Sequence, residues 1–284
     1  MYERVARCAG ARADPSASDP AAGPLPVWHL DAGRSLFAGP LGYNAPHAHS
    51  VPVYLAGLYA PFRLRIAGGA WRPCRTAVIP AGRAYEFDAA DEPLAVLYLE
   101  PDEAGVHALA PLVAGSEECD GALIGGKGEI APIREIYEAR DSAGWTSAAI
   151  DSLLTFAKTG REHALDPRIA CAVASLASAS EDEAGVMHMA GKAGLSPSRF
   201  QHLFTREIGV PFRRFRTWQR LRTAIGWIVA GHSFTDAAHR AGFFDQAHFA
   251  RAFRQAFGAP PSPSLRRVRR APLSPALSGE ATPR

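Results

Sequence analysis

The sequence is poor in cysteine, lacks long apolar runs and is close to neutral overall, and each shortage narrows what the chain can be. Four cysteines, Cys8, Cys74, Cys119 and Cys171, are scattered through 284 residues. That spacing fits neither a disulfide framework nor a zinc knot and suits a reducing cytoplasm. No apolar run approaches the roughly 20 residues of a membrane helix. The opening MYERVARCAGARADPSASDP has arginines but no apolar stretch, so neither a secretory leader nor a membrane partner is expected. No Ser/His/Asp or Cys/His set has convincing local geometry, so no catalytic residues are expected. A hydrophobic fraction of 47% argues against wholesale disorder.

The net charge of +3 hides an asymmetry. Residues 1–160 hold 13 Lys+Arg against 19 Asp+Glu, whereas residues 161–270 hold 17 against 8, and sixteen of those 17 are arginine. A basic part beside an acidic one is the footprint of one domain that meets nucleic acid and another that need not. Taken alone, an ordinary basic surface explains it too.

Composition divides the chain further. Residues 1–24 and 269–284, rich in Ala, Pro and Ser, are expected to lack fixed structure. Between about 25 and 128, short apolar segments alternate with Gly, Pro and Asp turns: Val51–Leu55, Phe62–Ile66, Thr76–Ile79, Tyr85–Phe87 and Leu94–Leu99. Phe62, Leu64 and Ile66 alternate with Arg63 and Arg65, the period of a half-buried strand. A small antiparallel barrel or sandwich is predicted. Residues 129–160 change to helical spacing, with Ile130, Ile133, Ile136 and Tyr137, then Ala149, Leu153, Leu154 and Phe156, and a turn near Gly144 and Trp145. These helices suit a link and subunit contact, or a cover for the barrel.

Residues 161–268 contain a duplication. Met189-AGKAGLSPSRFQHLFTREIGVP ends at Pro211, and Ala237-AHRAGFFDQAHFARAFRQAFGAP ends at Pro260. Ala190 and Ala193, like Ala238 and Ala241, permit close helix approach. Gly194 and Gly242 let the chain reverse. Ser196, ahead of Pro197, and Asp245 are candidate N-caps. Phe200 and Phe204, and their counterparts Phe249 and Phe253, mark the buried faces. The opposite faces carry Ser198, Gln201, His202 and Arg206 in one copy and Gln246, Ala247, Ala250, Arg251 and Arg254 in the other. Arg and Gln suit guanine and adenine edges in the major groove, and Ala suits a thymine methyl. Between the copies a helix from about Pro211 to Val229 is predicted, with Phe212, Phe215, Leu221, Ala224, Ile225 and Ile228 buried. Arg213 and Arg216 are phosphate candidates, and Arg220 is a structural one.

Residues 165–268 resemble the DNA-binding domain of the AraC/XylS family of bacterial regulators. The resemblance rests on Ala190-GKAGLSPSRFQHLFTREIG, on the segment from Pro211 to Ala224 with Arg220-Leu221, and on Ala237-AHRAGFFDQAHFARAFRQAFG. It implies two helix-turn-helix units whose second helices enter the major groove through Ser198, Gln201 and His202, then Gln246, Ala247, Ala250 and Arg251. It also implies a cupin-like sensor barrel ahead of them, so the expected fold is two-domain α+β. Gly42, His47-Ala48-His49 and Pro80-Ala81-Gly82 look like cupin pieces. The glutamate and second-motif histidine of metal-binding cupins are missing, however: Val53 or Tyr54 stands at the first place and Tyr85 at the second. His47 and His49 are therefore weak metal candidates and no cofactor is expected. His47, His49, Tyr54, Trp71, Tyr85 and Phe87 are candidates for an effector pocket, with Tyr59 and Phe62 further aromatic options. The expected protein is a regulator of transcription that binds double-stranded DNA, senses a small molecule, pairs with a second copy and contacts RNA polymerase. A barrel used only for dimerisation is the alternative, and a cupin enzyme with a DNA-binding appendage is a third.

Overall fold

A computed structural model gives the fold and describes residues 23–101, 106–157, 165–176, 179 and 183–272. Strands β1 (Val27–Asp31), β2 (Arg34–Pro40), β3 (Tyr43–His47), β4 (Val53–Gly57), β5 (Phe62–Ile66), β6 (Arg72–Cys74), β7 (Thr76–Ile79), β8 (Tyr85–Asp88) and β9 (Pro93–Leu99) follow one another through short turns. Helix α1 (Val106–Leu109) precedes β10 (Val113–Ala114), β11 (Glu117–Cys119), β12 (Ala122–Gly125) and β13 (Lys127–Gly128). One antiparallel sheet runs β1-β2-β9-β4-β7-β12-β11, a second runs β3-β8-β5-β6, and β10 pairs with β13.

The alternation in β5 does what its period predicts. Phe62, Leu64 and Ile66 are buried, while Arg63 and Arg65 stand opposite Asp88 and Glu86 of β8. Both pairs close as ion pairs at 2.7 Å, the cross-strand arrangement that favours a fixed register. In β4 every residue is buried, because both faces of the large sheet are covered. Val53 and Leu55 point into the space between the sheets. Tyr54 and Ala56 point the other way, beneath helices α2 (Ala131–Glu138) and α3 (Thr146–Ala157). Those helices pack Ile133, Ile136, Tyr137, Ile150, Leu153 and Leu154 on that outer face. Of the two roles expected for 129–160, covering the sheet accounts for these side chains.

The helical part comprises α4 (Pro167–Leu176), α5 (Val186–Lys192), α6 (Pro197–Ile208), α7 (Phe212–Val229), α8 (Phe234–Arg240), α9 (Gln246–Phe257) and α10 (Ser262–Leu265). Helix α7 buries the expected stripe of Phe212, Phe215, Leu221, Ala224, Ile225 and Ile228, and also Trp218, Gln219 and Arg222. It is buried on a second side because it lies against the barrel. There the Trp218 and Gln219 side chains donate to the Glu100 carboxylate at 3.3 and 3.0 Å, and Arg222 pairs with the same carboxylate. One apolar core runs from the barrel interior into the helices, so the two parts share an interior.

Most of the segments expected to lack fixed structure lie outside the described residues. Arg269, placed in the tail by composition, needs correcting. Its backbone N–H donates to Pro26 O at 2.8 Å. Its guanidinium donates to the carbonyls of Tyr137 and Ala139 at 2.7 and 2.6 Å, where a cation satisfies the open carbonyls ending α2. Among the described residues, no helix is long and apolar enough to cross a membrane.

Candidate DNA-reading helices and the interdomain cavity

Each half of the duplication folds as helix, turn, helix. In the first, α5 ends ahead of Gly194 at φ +63°, and Ser196 Oγ caps α6 by accepting from Arg199 N at 3.4 Å. In the second, α8 ends ahead of Gly242 at φ +75°, and Asp245 Oδ1 caps α9 by accepting from His248 N at 2.6 Å. Phe200, Phe204 and Ile208 bury one face of α6, and Phe249, Phe253 and Phe257 bury one face of α9. Each helix closes on a left-handed glycine, Gly209 or Gly258. Arg220, expected as a structural residue, ties α7 to the second unit: its Nε donates to Ala241 O at 3.1 Å and its guanidinium lies 4.8 Å from the centre of the Phe243 ring.

The faces opposite the phenylalanines are open. Ser198, Gln201, His202 and Arg206 are exposed on α6, and Arg206 leans on Glu207 at 3.0 Å. Gln246, Ala247 and Arg251 are exposed on α9, Ala250 is half-buried, and Gln246 Oε1 accepts from Thr235 Oγ1 at 3.1 Å. Arg213 is exposed at the start of α7 and Arg216 is half-buried. The capped helix N-termini present backbone N–H groups and a partial positive charge, a ready seat for phosphate. Phe244, 83% exposed at the foot of α9, is an exposed ring that the repeat pattern alone does not single out. The Phe243-Phe244 doublet was the available signal: Phe243 is buried, and its immediate neighbour on this turn points outward.

Behind α9 the helical part meets the barrel. Asn44 Nδ2 donates to Phe257 O at 2.7 Å, and Ala45 N donates to Gly258 O at 2.9 Å. The approach is close enough that a Cβ on Gly258 would lie 2.3 Å from Ala45 O. At α7, Ser50 Oγ donates to Arg214 O at 3.2 Å, and the Arg214 guanidinium donates back to Ala48 O. A cleft of about 740 Å³ opens beside this contact, with His49 and Ser50 on one wall and Arg213, Arg214, Thr217 and Arg251 on the other.

A smaller cavity lies between the two sheets and the end of α9. Four of the expected pocket residues, His47, His49, Tyr85 and Phe87, come together there with Trp28, Tyr98 and Phe257. Two do not. Tyr54 faces the opposite side of its sheet, where its hydroxyl donates to Glu129 O at 2.9 Å. Trp71 lies half-buried outside the small sheet, with the Arg65 and Arg63 guanidinia 4.9 and 5.4 Å from its ring. The period of two puts alternate residues on opposite faces, and an all-apolar strand does not reveal which face is which. Tyr59 is exposed and bonds Glu138, while Phe62 is core.

Burial disfavours protonation of both histidines. Burial pushes His47 down to about 4, helped by the Arg214 charge and opposed by the Ala45 carbonyl and Glu86. Burial drives His49 well below its usual value, aided by His47 and Arg214. Their rings stand edge-on with centres 4.9 Å apart, and His47 Nδ1 donates to Ala45 O at 2.8 Å. Among the described residues no group of three or more His, Cys, Asp or Glu could hold a metal. Glu86 points away from the cavity, to Tyr43 and Arg65. Burial also raises the Tyr85 hydroxyl well above its usual range.

Comparison with known proteins agrees with this arrangement. Residues 189–267 match a family described as a helix-turn-helix domain. No curated protein sequence matches the chain. Among solved structures, ToxT of Vibrio cholerae strain SCE256 with a bound unsaturated fatty acid superposes with a TM-score of 0.54 at 15% identity, over 84% of this chain and 97% of that one. A further ToxT structure from Vibrio cholerae gives 0.52 at 12% identity, over 82% and 98%. At those identities the likeness is one of fold: a sheet-rich domain followed by two helix-turn-helix units. Residues 189–267 of this chain therefore form a helix-turn-helix domain, set behind a sheet-rich domain as in the ToxT fold.

Proposed function

We propose that the protein is a sequence-specific regulator of transcription whose grip on DNA responds to a small molecule held between barrel and helices. The observation that carries the reading is the pair of capped helices, α6 and α9, with open polar faces and with one rigid helix, α7, fixing their separation. Entry of both into successive major grooves requires a spacing of about 34–36 Å along the duplex. Gln201 and His202 would read one segment, Gln246 and Arg251 the other, and Arg213 and Arg216 would meet phosphate. Pairing of two copies, contact with RNA polymerase and a cytoplasmic setting belong to the same reading through the resemblance to AraC/XylS regulators. ToxT was solved with an unsaturated fatty acid bound, which supports small-molecule control in a chain of this fold. The His47–Tyr85 cavity, roofed by α9 itself, is where such control would reach DNA.

Selection from a random double-stranded DNA library tests the reading. Enrichment of one motif with two segments about a helical turn apart is expected, with Gln201→Ala and Arg251→Ala each relaxing a different segment. Weak, salt-sensitive binding with no enriched motif, with or without added metabolite extract, would refute it.

A further inference from the structure

The cavity between the sheets and α9 also indicates the chemistry of its occupant, an inference that rests on the ligand-controlled reading above. Three of its lining residues carry buried polar atoms with no hydrogen-bond partner among the described residues: Trp28 Nε1, His49 Nδ1 and the Tyr85 hydroxyl. These residues are 3%, 3% and 2% exposed. Buried polar groups are almost always paired, so three unpaired ones around one cavity mark a place where a polar atom is to be supplied.

The rest of the lining narrows the class. No Asp, Glu, Lys or Arg lines the cavity, so a carboxylate or ammonium would lose its water with no opposite charge on the wall to meet it, Arg214 and Glu86 acting only from outside the lining. Tyr98, Trp28 and Phe257 offer ring faces, with ring centres 5.9 to 6.1 Å apart. The indole N–H is a donor only, and the phenol can donate as well, so the occupant must present an acceptor. We propose that this cavity receives a small, uncharged aromatic molecule carrying a hydroxyl or carbonyl oxygen. That oxygen accepts from Trp28 Nε1–H and the Tyr85 hydroxyl, and the ring lies among Tyr98, Phe257 and the His49 imidazole.

Size links binding to α9. The cavity encloses about 30 Å³, room for roughly two waters and well short of the ~150 Å³ in which a benzene ring has been accommodated. A ring enters only if the lining gives way, and in this proposal the movement is at Phe257, which stays in contact with the ring as it shifts. Phe257 is the last residue of α9, and the bonds from Asn44 and Ala45 to the Phe257 and Gly258 carbonyls hold it in place. Binding therefore exchanges that clip for contacts with the ligand and shifts the reading helix, so ligand and DNA affinity are linked in both directions.

The test uses the full chain, titrated with phenol, benzaldehyde and acetophenone against benzoate and benzylamine. It follows tryptophan fluorescence and melting temperature, with DNA affinity measured in parallel. The three neutral compounds should bind and change DNA affinity, and the two ions should bind at least tenfold more weakly. Trp28→Phe and Tyr85→Phe should each weaken binding about fivefold, the worth of one net hydrogen bond, whereas Tyr59→Phe on the outer surface should leave it unchanged. Tighter binding of benzoate or benzylamine, coupled to DNA, would overturn the ligand class and leave small-molecule control standing. Binding insensitive to Trp28→Phe and Tyr85→Phe, or no binding by any neutral compound to a protein that still selects its DNA motif, would overturn the site.

Discussion

The carboxylate of Glu100, one residue past β9, is bonded to the guanidinium of Arg222 in the middle of α7, and the two side chains are 5% and 3% exposed. The remaining capacity of both groups is taken up. Glu100 accepts from Trp218 and Gln219, and Arg222 donates to Ser35 Oγ at 3.0 Å and to the carbonyls of Asp31 and Arg34. Removing one partner strands the other charge in the interface, a loss of about 3–5 kcal/mol, whereas an apolar pair of similar volume is close to neutral. Arg222→Ala and Glu100→Ala are each expected to lower the urea midpoint sharply. Glu100→Leu with Arg222→Met should restore most of it. A double variant as unstable as the singles would show that the pair is not what joins α7 to the barrel.

Two glycines close the duplicated motif, and their substitution should differ. Gly209 and Gly258 have φ of +84° and +71°, a conformation that costs a side-chain-bearing residue about 1–2 kcal/mol. At Gly209 a Cβ meets nothing nearer than Ala81 O at 3.7 Å, but at Gly258 it would lie 2.3 Å from Ala45 O and 2.6 Å from His47 Nδ1. Gly209→Ala should lose about that 1–2 kcal/mol. Gly258→Ala should lose more and raise protease sensitivity between barrel and α9. Equal losses would deny the close approach.

Stability should fall with acid through the buried histidines. The unfolded chain takes up protons below the usual histidine value of 6.5, while folded His47 stays neutral until about 4 and burial holds His49 well below its usual value too. Folded stability is thus fully present above pH 6.5 and declines as pH drops. Between pH 7.5 and 5.5 each histidine should remove about 1 kcal/mol. Arg214 acts on both rings and Glu86 on His47 alone. Urea midpoints at the two pH values should converge in a His47→Gln/His49→Gln variant, and an undiminished slope there would assign the pH dependence elsewhere.

In the proposed complex, contacts with DNA divide by what they would read. Arg251→Ala should weaken binding to the selected site by about 1–3 kcal/mol, roughly 5- to 150-fold, with preference lost at one position. Arg213→Ala should weaken binding evenly across sequences and reduce the slope of log affinity against log salt by about one. Loss of base preference on Arg213→Ala, or uniform weakening on Arg251→Ala, would reverse those roles.

The helical part was legible because its constraints are local. Cap residues, turn glycines and the Phe-x-x-x-Phe pairs act within a few positions of one another, so Ser196, Gly194, Phe200 and Phe204 announce their places. The second buried side of α7 was not legible. Arg222 and Gln219 look like solvent-facing residues until the barrel is laid against them, and their partners Glu100 and Ser35 lie more than a hundred positions away. Tyr54 and Trp71 misled for a related reason. Aromatic character marks burial or stacking, but only sheet pairing and the covering helices decide which side of a strand is the interior. Phe257 was invisible as a pocket residue, since it closes a cavity built by barrel residues more than a hundred positions earlier.

The motif that closes each helix-turn-helix unit rests on the barrel at a separate place. Gly258 abuts Ala45 in β3, and Gly209 abuts the Pro80–Gly82 turn, where a Cβ on Gly82 would lie 3.1 Å from Gly209 O. In the proposed regulator the barrel would thus be a gauge block: two anvils on one body set the gap between the tips of α6 and α9, with α7 as the frame. A change of an ångström at one anvil alters the gauge itself, and DNA whose half-sites fit the old gap no longer fits the new one.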